Sequence, residues 1–382
     1  MSTANLQSNS VANATYKTGQ DHNDISNDIS NQKSSYLKHQ FEHLENVVNS
    51  NKDAFFLAYM DGKLSNFYDN HLPPVGNTGV MEGEAIIDWL TVTWEQAYDD
   101  TDLEACEQLL MGVAITFGIR LKPENRNSGI NNFTYSKEGK AGALFAWGGD
   151  GQGGRVMLKL PGAACRRVRD WRRVYLWCRF WNARITRVDV AYDDIEGVHG
   201  VDETLRRYEN GEFHIRGVNP GYEQAGQWGK VNEKGRTVYI GSRKAAKYMR
   251  VYEKGKQMGD PLSRWVRHEV EFKRGSGRDA REVPLDIMLD PTKYLKGAYP
   301  VAFDWLEVDG QKIPTRGNVE ALKITVRQAI KEAKRQYGKL VNVLQQIGMS
   351  PNEIVTRITR DGVPGRLEPY QPRRWEPLEV FA

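Results

Sequence analysis

The chain has 382 residues, 40% of them hydrophobic and 27% charged, enough for one large domain with extensions or for two, and too apolar for general disorder. No apolar run nears the roughly 18 residues that a membrane helix needs, and the region after Met1 lacks a basic-then-apolar signal segment, so the expected location is the cytoplasm. Three cysteines, Cys106, Cys165 and Cys178, are an odd number without paired spacing, which argues against a disulfide framework and a zinc site alike.

Residues 1–52 are rich in Ser, Asn, Gln and Asp and read as a mobile polar leader, becoming helical between Tyr36 and Val48. A first strand is expected at Ile86 to Trp94, dense in β-branched and aromatic types, followed by a helix from Asp102 to Phe117. Phe133 to Trp147 and Arg155 to Leu160 should form a hairpin around WGGDGQGG. That glycine-rich loop is no phosphate cradle of the Walker type, because no Gly-Lys-Ser/Thr follows it and a strand comes next. After Pro161-Gly162, one helix running to about Ala183 is expected, with Ala164, Val168, Trp171, Tyr175 and Cys178 as its apolar stripe and arginines elsewhere.

The net charge of +4 is modest, but its placement is uneven. Between Arg155 and Arg187 ten basic residues face the single acid Asp170, an electrostatic footprint for a polyanion. Arg166, Arg167, Arg169, Arg172 and Arg173 are the expected nucleic-acid contacts. Four segments then alternate with period two, Arg184 to Asp193, Arg236 to Arg243, Lys247 to Gly255 and Trp265 to Lys273, and describe an antiparallel sheet. Beyond Pro314 a long helix is expected from Asn318 to Ile347, with Val319, Leu322, Val326, Ile330, Ala333, Tyr337, Leu340 and Leu344 on one face, and then an extended proline-rich tail from Val363 to Ala382. The fold class is α+β: an antiparallel catalytic sheet at 53–313, flanked by helices, with a carboxy-terminal helical extension at 314–382.

Because strand side chains alternate faces, Arg187, Asp189, Ala191 and Asp193 share one face of their strand. Tyr248, Arg250, Tyr252 and Lys254 share one face of the next. Arg267, Glu269, Glu271 and Lys273 share one face of the last. An exposed sheet face of this kind is usually a set of solvated ion pairs. If the three faces coincide, however, they make a site of carboxylates, tyrosines and cations, whose hard oxygens suit Mg2+ or Mn2+. A phenol, with an ordinary pKa of about 10, is a weak nucleophile without positive charge beside it. Arg250 and Lys254, flanking Tyr252, are candidates to supply that charge. Tyr239 and Tyr248 are the competing tyrosines.

The ordered strings ITRVDVAYDD, YIGSRKAAKYMRVYEKGKQ and WVRHEVEFKR, with DWLTVTW as a weak beginning, resemble the replication initiation factor family over residues 86–275. That family includes rolling-circle plasmid and filamentous-phage initiators and some conjugative relaxases. The resemblance implies Tyr252 as the nucleophile, from Arg250-Val251-Tyr252-Glu253-Lys254. It implies Asp189, Glu269 and Glu271 as the metal site, with Glu269 preferred over Glu271 as ligand, and Arg243 and Arg250 as phosphate contacts. Other rolling-circle nickases hold metal with a His-hydrophobic-His element, a spacing that none of the seven histidines forms. His268 falls on the apolar face of its strand and reads as a packed core histidine.

The implied activity is metal-dependent nicking and rejoining of one strand of a circular replicon through a 5′-phosphotyrosine, the wording VYEKGKQMGDP and RHEVEFKR lying closer to the phage branch. The implied partners are duplex origin DNA and its nicked strand, a host helicase and polymerase in the host cytoplasm, and a second copy in a homodimer. A conjugative relaxase and a non-catalytic origin-binding protein are the alternatives.

Overall fold

The computed structural model describes residues 21–73, 84–96, 98, 101–123, 130–214, 218–229, 233–275, 281–313 and 316–362. The chain divides into two units, Met1–His43 and Leu44–Ala382. In the first, the described residues are helical: α1 (Asp21–Ser50) begins there, well before the helical onset expected at Tyr36. In the second, Leu44, Glu45 and Val47 of the same helix are buried. Residues 1–20 and the tail from Val363 lie outside the described residues.

The second unit is built on one antiparallel sheet. Its strands are β1 (Ile86–Glu95), β2 (Tyr135–Glu138), β3 (Leu144–Trp147), β4 (Arg155–Pro161), β5 (Arg184–Asp194), β6 (Tyr222–Gly226), β7 (Arg236–Gly241), β8 (Lys247–Tyr252) and β9 (Val266–Lys273). They lie in the order β2-β3-β4-β1-β5-β9-β8-β7-β6. Around it run α2 (Lys52–Met60), α3 (Leu64–His71), α4 (Leu103–Phe117), α5 (Gly162–Cys165), α6 (Trp171–Phe180), α7 (Val201–Glu209), α8 (Lys254–Gln257) and α9 (Pro291–Ala298). The carboxy-terminal α10 (Arg316–Gln346) and α11 (Pro351–Ile358) follow.

One face of the sheet is apolar. Leu90, Val92, Val188, Val190, Val270, Phe272, Met249, Val251, Val238 and Ile240 alternate onto it and are buried. Trp177 of α6 joins this face to the helices: its ring stands 5.9 Å edge-on to Trp94, 6.0 Å from Phe117 of α4 and 6.3 Å from Phe55 of α2. Burial of rings this large against a β-branched surface drives the layering. The opposite face is left for polar side chains.

Four expectations need correction. The single arginine-rich helix is two, α5 and α6, because Asp170 (φ −147) leaves helical geometry and starts a new helix by accepting from the backbone N–H of Arg172. The segment from Phe133 to Trp147 is itself a hairpin, β2 pairing with β3, folded back at Ala141 with φ 59. The strand begun at Lys247 stops at Tyr252, where Glu253 turns the chain into α8. Along α10, Ile330, Tyr337 and Leu340 are exposed, so this part of the expected stripe covers no core.

Candidate active site

Strand register brings the three polar faces together. From β5 to β9, Asp189 pairs with Glu271, Ala191 with Glu269 and Asp193 with Arg267. From β9 to β8, Glu271 pairs with Tyr248, Glu269 with Arg250 and Arg267 with Tyr252. The small Ala191 leaves room above β5, into which Arg250 extends. Its Nη2 donates to Asp189 Oδ2 at 3.1 Å and to Glu269 Oε1. The Tyr252 hydroxyl donates to Glu269 Oε2 at 3.2 Å. Nucleophile candidate, both carboxylates and a guanidinium therefore form one bonded cluster.

Asp189 and Glu269 are buried, at 1% and 4% exposure, and both accept from Arg250 Nη2. Burial drives the Glu269 carboxyl well above the usual carboxylate range. Arg250 pulls it down, and the negative charges of Asp189 and Asp88 add to the rise. Burial also pushes the Tyr252 phenol up, reinforced by Glu269 and opposed by Arg267 and Arg250. In this arrangement the phenol is protonated and its hydroxyl donates to Glu269.

Glu271 is engaged differently from Glu269. It meets Arg187 at 2.9 Å and Lys273 at 2.5 Å, away from Tyr252. Arg187 also grips Asp189 through both carboxylate oxygens, at 2.8 and 2.6 Å. Arg243 lies beyond the end of β7, its Nε donating to the Tyr248 hydroxyl at 3.3 Å, and is exposed. Lys254, in α8 rather than on the strand face, still reaches over the Tyr252 ring at 5.5 Å while donating to Gln257. Of the competing tyrosines, Tyr248 is buried and stacks parallel to Tyr239 at 5.7 Å.

The arginine cluster divides. Arg172 is buried and binds Asp170 through Nε (2.9 Å) and Nη2 (2.8 Å), and the Pro73 carbonyl at 2.9 Å. Arg173 pairs with Asp69 at 2.9 Å. These two hold α6 in place, so the continuous arginine face is not available. Arg166, Arg167 and Arg169 are exposed. His268 is buried on the apolar side with Nε2 2.8 Å from the His199 carbonyl, as its strand parity requires.

Asp88 was missed in the sequence. A register irregularity between Ile87 and Trp89 turns it onto the site face, where it receives Arg267 Nη1 at 3.0 Å. Arg267 is also bound by both oxygens of Asp193, at 2.7 and 2.6 Å. The signal was there: an acid inside IIDWLTVTW is out of place in a strand interior unless a bulge redirects it. An open cleft lined by Tyr98, Trp147 and Arg155 lies at the other end of β1 and carries none of these groups.

The metal expectation can be tested against the donors. Asp189 and Glu269 offer hard carboxylate oxygens close together, the donor type that Mg2+ or Mn2+ requires. Among the described residues no group of three or more His, Cys, Asp or Glu is gathered tightly enough to hold an ion; the guanidinium of Arg250 spans the pair instead. In donor chemistry the pair fits a divalent cation.

Residues 183–358, just under half of the chain, match the model of the replication initiation factor family. The matched span contains β5, β7, β8 and β9, and so most of the cluster above. A Bacillus subtilis (strain 168) protein named "Putative DNA relaxase NicK" is 24% identical over 149 residues, 35% of this chain and 41% of that protein. The chain thus spans less than half the length of this curated relative. The solved structure of a rolling circle replication initiator protein from Geobacillus stearothermophilus is similar with a TM-score of 0.43 and 20% identity, over 56% of this chain and 82% of that one. Among the described residues no helix is long and apolar enough to cross a membrane.

Proposed function

We infer that the protein is a DNA strand transferase that nicks and rejoins one strand at a replication origin through Tyr252. The observation that carries this reading is the hydrogen bond from the Tyr252 hydroxyl to Glu269, on a sheet face where Asp189, Glu269 and Arg250 are already joined. In the reaction, Glu269 takes the phenolic proton as the tyrosine oxygen attacks phosphorus. The P–O3′ bond breaks, the 3′ oxygen leaves and is protonated, and the 5′ phosphate stays on Tyr252. Rejoining is the reverse. Arg250 and Arg267 offset the charge of the phenolate, and Arg243 and Lys254 extend positive charge to either side. Asp189 and Glu269, with Glu271 adjoining, would hold a magnesium or manganese ion, which when bound polarises the scissile phosphate and neutralises developing charge.

The nicking domain is assigned to residues 53–313 and the helical extension to 314–382. The replicon is inferred to be a filamentous-phage genome, from the wording of the β8 and β9 motifs, with a host helicase and polymerase acting on the nicked circle and a homodimer at the origin. A relaxase of the same chemistry is the second reading, favoured by the similarity to the B. subtilis protein; transfer of the nicked strand between cells distinguishes it.

The test is incubation of the full chain with supercoiled origin DNA and Mg2+ or Mn2+. Open circles and a protein–DNA adduct are expected. Tyr252→Phe should remove both while DNA binding stays near wild type. A mobility shift without open circles would mean a binder only, and an adduct retained in the variant would move the nucleophile elsewhere.

A further inference from the structure

Two aromatic features on the site face, Trp89 and Tyr239, take no part in the chemistry. Trp89 on β1 is half-buried on the side away from the helices. Its indole N–H is fixed on the Thr91 hydroxyl at 2.9 Å, and its ring carries the Arg187 guanidinium at 4.3 Å and the Lys159 ammonium at 5.8 Å. On the far side of the cluster, Tyr239 lies half-exposed and parallel to Tyr248, at 9°. The Arg243 guanidinium stands 5.4 Å from the Tyr239 ring and 5.9 Å from that of Tyr248. Among the described residues Lys159 and Arg243 have no carboxylate partner, so their charge is available to an anion.

The two features are aligned by register. Trp89 pairs with Asp189, Asp189 with Glu271, and Glu271 with Tyr248. One row across four strands therefore begins at Trp89 and ends at Tyr248, with Asp189 and Glu271 between, and Glu269 and Tyr252 lie in the neighbouring rows. Three strand spacings make about 14 Å, several times the roughly 3.4 Å rise of a stacked strand, so bases on the two platforms would not be neighbours.

We propose that Trp89 and Tyr239, the latter backed by the buried Tyr248, are base-stacking platforms that hold unpaired DNA on either side of the Asp189–Glu271 pair, beside Tyr252, with Lys159 and Arg243 neutralising the flanking phosphates. Rings interleaved with cations along a groove are the way proteins hold single strands, since every base has a π-face and every nucleotide a charge. A duplex would not serve, because its bases are stacked on one another and present only edges. The proposal rests on the nicking reading for what lies between the platforms, but its binding step does not need Tyr252.

The test uses the full chain carrying Tyr252→Phe and a fluorescein-labelled oligothymidylate, read by anisotropy. Trp89→Ala and Tyr239→Ala should each weaken binding by roughly fivefold to a hundredfold, the range of one lost base stack, and Trp89→Phe should restore most of it. Photocrosslinking of an oligonucleotide containing 5-iododeoxyuridine to the otherwise unaltered chain, followed by peptide mapping, should label Trp89 or Tyr239 without relying on an alanine variant that folds. Affinities within about twofold of the parent in both alanine variants, or crosslinks only elsewhere, overturn the proposal. Origin nicking by a protein that passes neither test would sink the platforms and leave the nickase. Loss of oligonucleotide affinity in a protein that never forms an adduct would sink the nickase and leave the platforms.

Discussion

Arg250 is the residue on which the electrostatics of the site turn. Two carboxylates buried in contact repel each other, and one guanidinium nitrogen reaches both. Removing one partner of a buried ion cluster typically costs about 3 kcal/mol or more, because the remaining charges are stranded. Arg250→Gln is therefore expected to lower thermal stability in chelator by that order, and Mn2+ should recover much of the loss in the variant while moving wild type less. Equal melting temperatures for variant and wild type in chelator would show that the guanidinium does not relieve the pair. The cluster was largely legible beforehand: period-two alternation sorted Asp189, Arg250, Tyr252 and Glu269 onto their faces, and register then joined them. Asp88 left only one mark, an acid inside IIDWLTVTW, and the irregularity that turns it onto the site face arises from pairing with β5.

At the scale of elements, α6 shows how a composition signal can mislead. Ten basic residues in one stretch read as a surface for polyanions, yet Arg172 is buried with Asp170 and Arg173 with Asp69 holds the helix down. Arg172→Ala should cost about 3 kcal/mol in chemical denaturation with little change in DNA binding per folded molecule. Arg167→Ala and Arg169→Ala should do the reverse, weakening DNA binding across sequences and reducing the salt slope by about one each. If Arg172→Ala left stability unchanged and flattened the salt dependence, the division between structural and available arginines would be wrong. Strands β1, β5 and β9 were placed within a residue or two, because alternation over eight or more residues is a strong pattern. The five-residue β6 was not found, since YEQAG has no β-branched residue and is strand only through its pairing with β7.

Over the whole molecule, stability should depend on acid through His268. Burial lowers its pKa to about 4, with the His199 carbonyl and Asp194 opposing and His199 and Arg207 adding to the fall. An unfolded histidine titrates near 6.5. The folded state thus keeps the ring neutral while the unfolded state binds a proton. Its contribution is fully present above about pH 6.5 and lost as pH falls toward 4, amounting to roughly 3 kcal/mol at the low end. His268→Gln retains a donor for the His199 carbonyl and does not titrate, so the slope of stability against pH in that window should become shallower by up to one proton. An unchanged slope would place the acid lability elsewhere. The strand order was hidden from the sequence for a related reason: β1 sits between β4 and β5, and β9 between β5 and β8, and such long-range neighbours are chosen by burial of the shared apolar face.

A nine-stranded sheet that does not close keeps two rims of unsatisfied amide and carbonyl groups, and such rims invite other chains to add on. Here the outermost strands are the four residues of β2 and the five of β6, too short to template a long partner. Glu138 and Glu223 add charge to them, and Gly226 at φ 93 bends the latter away at its end. The sheet is thereby guarded against precipitation through strand pairing with further copies of itself.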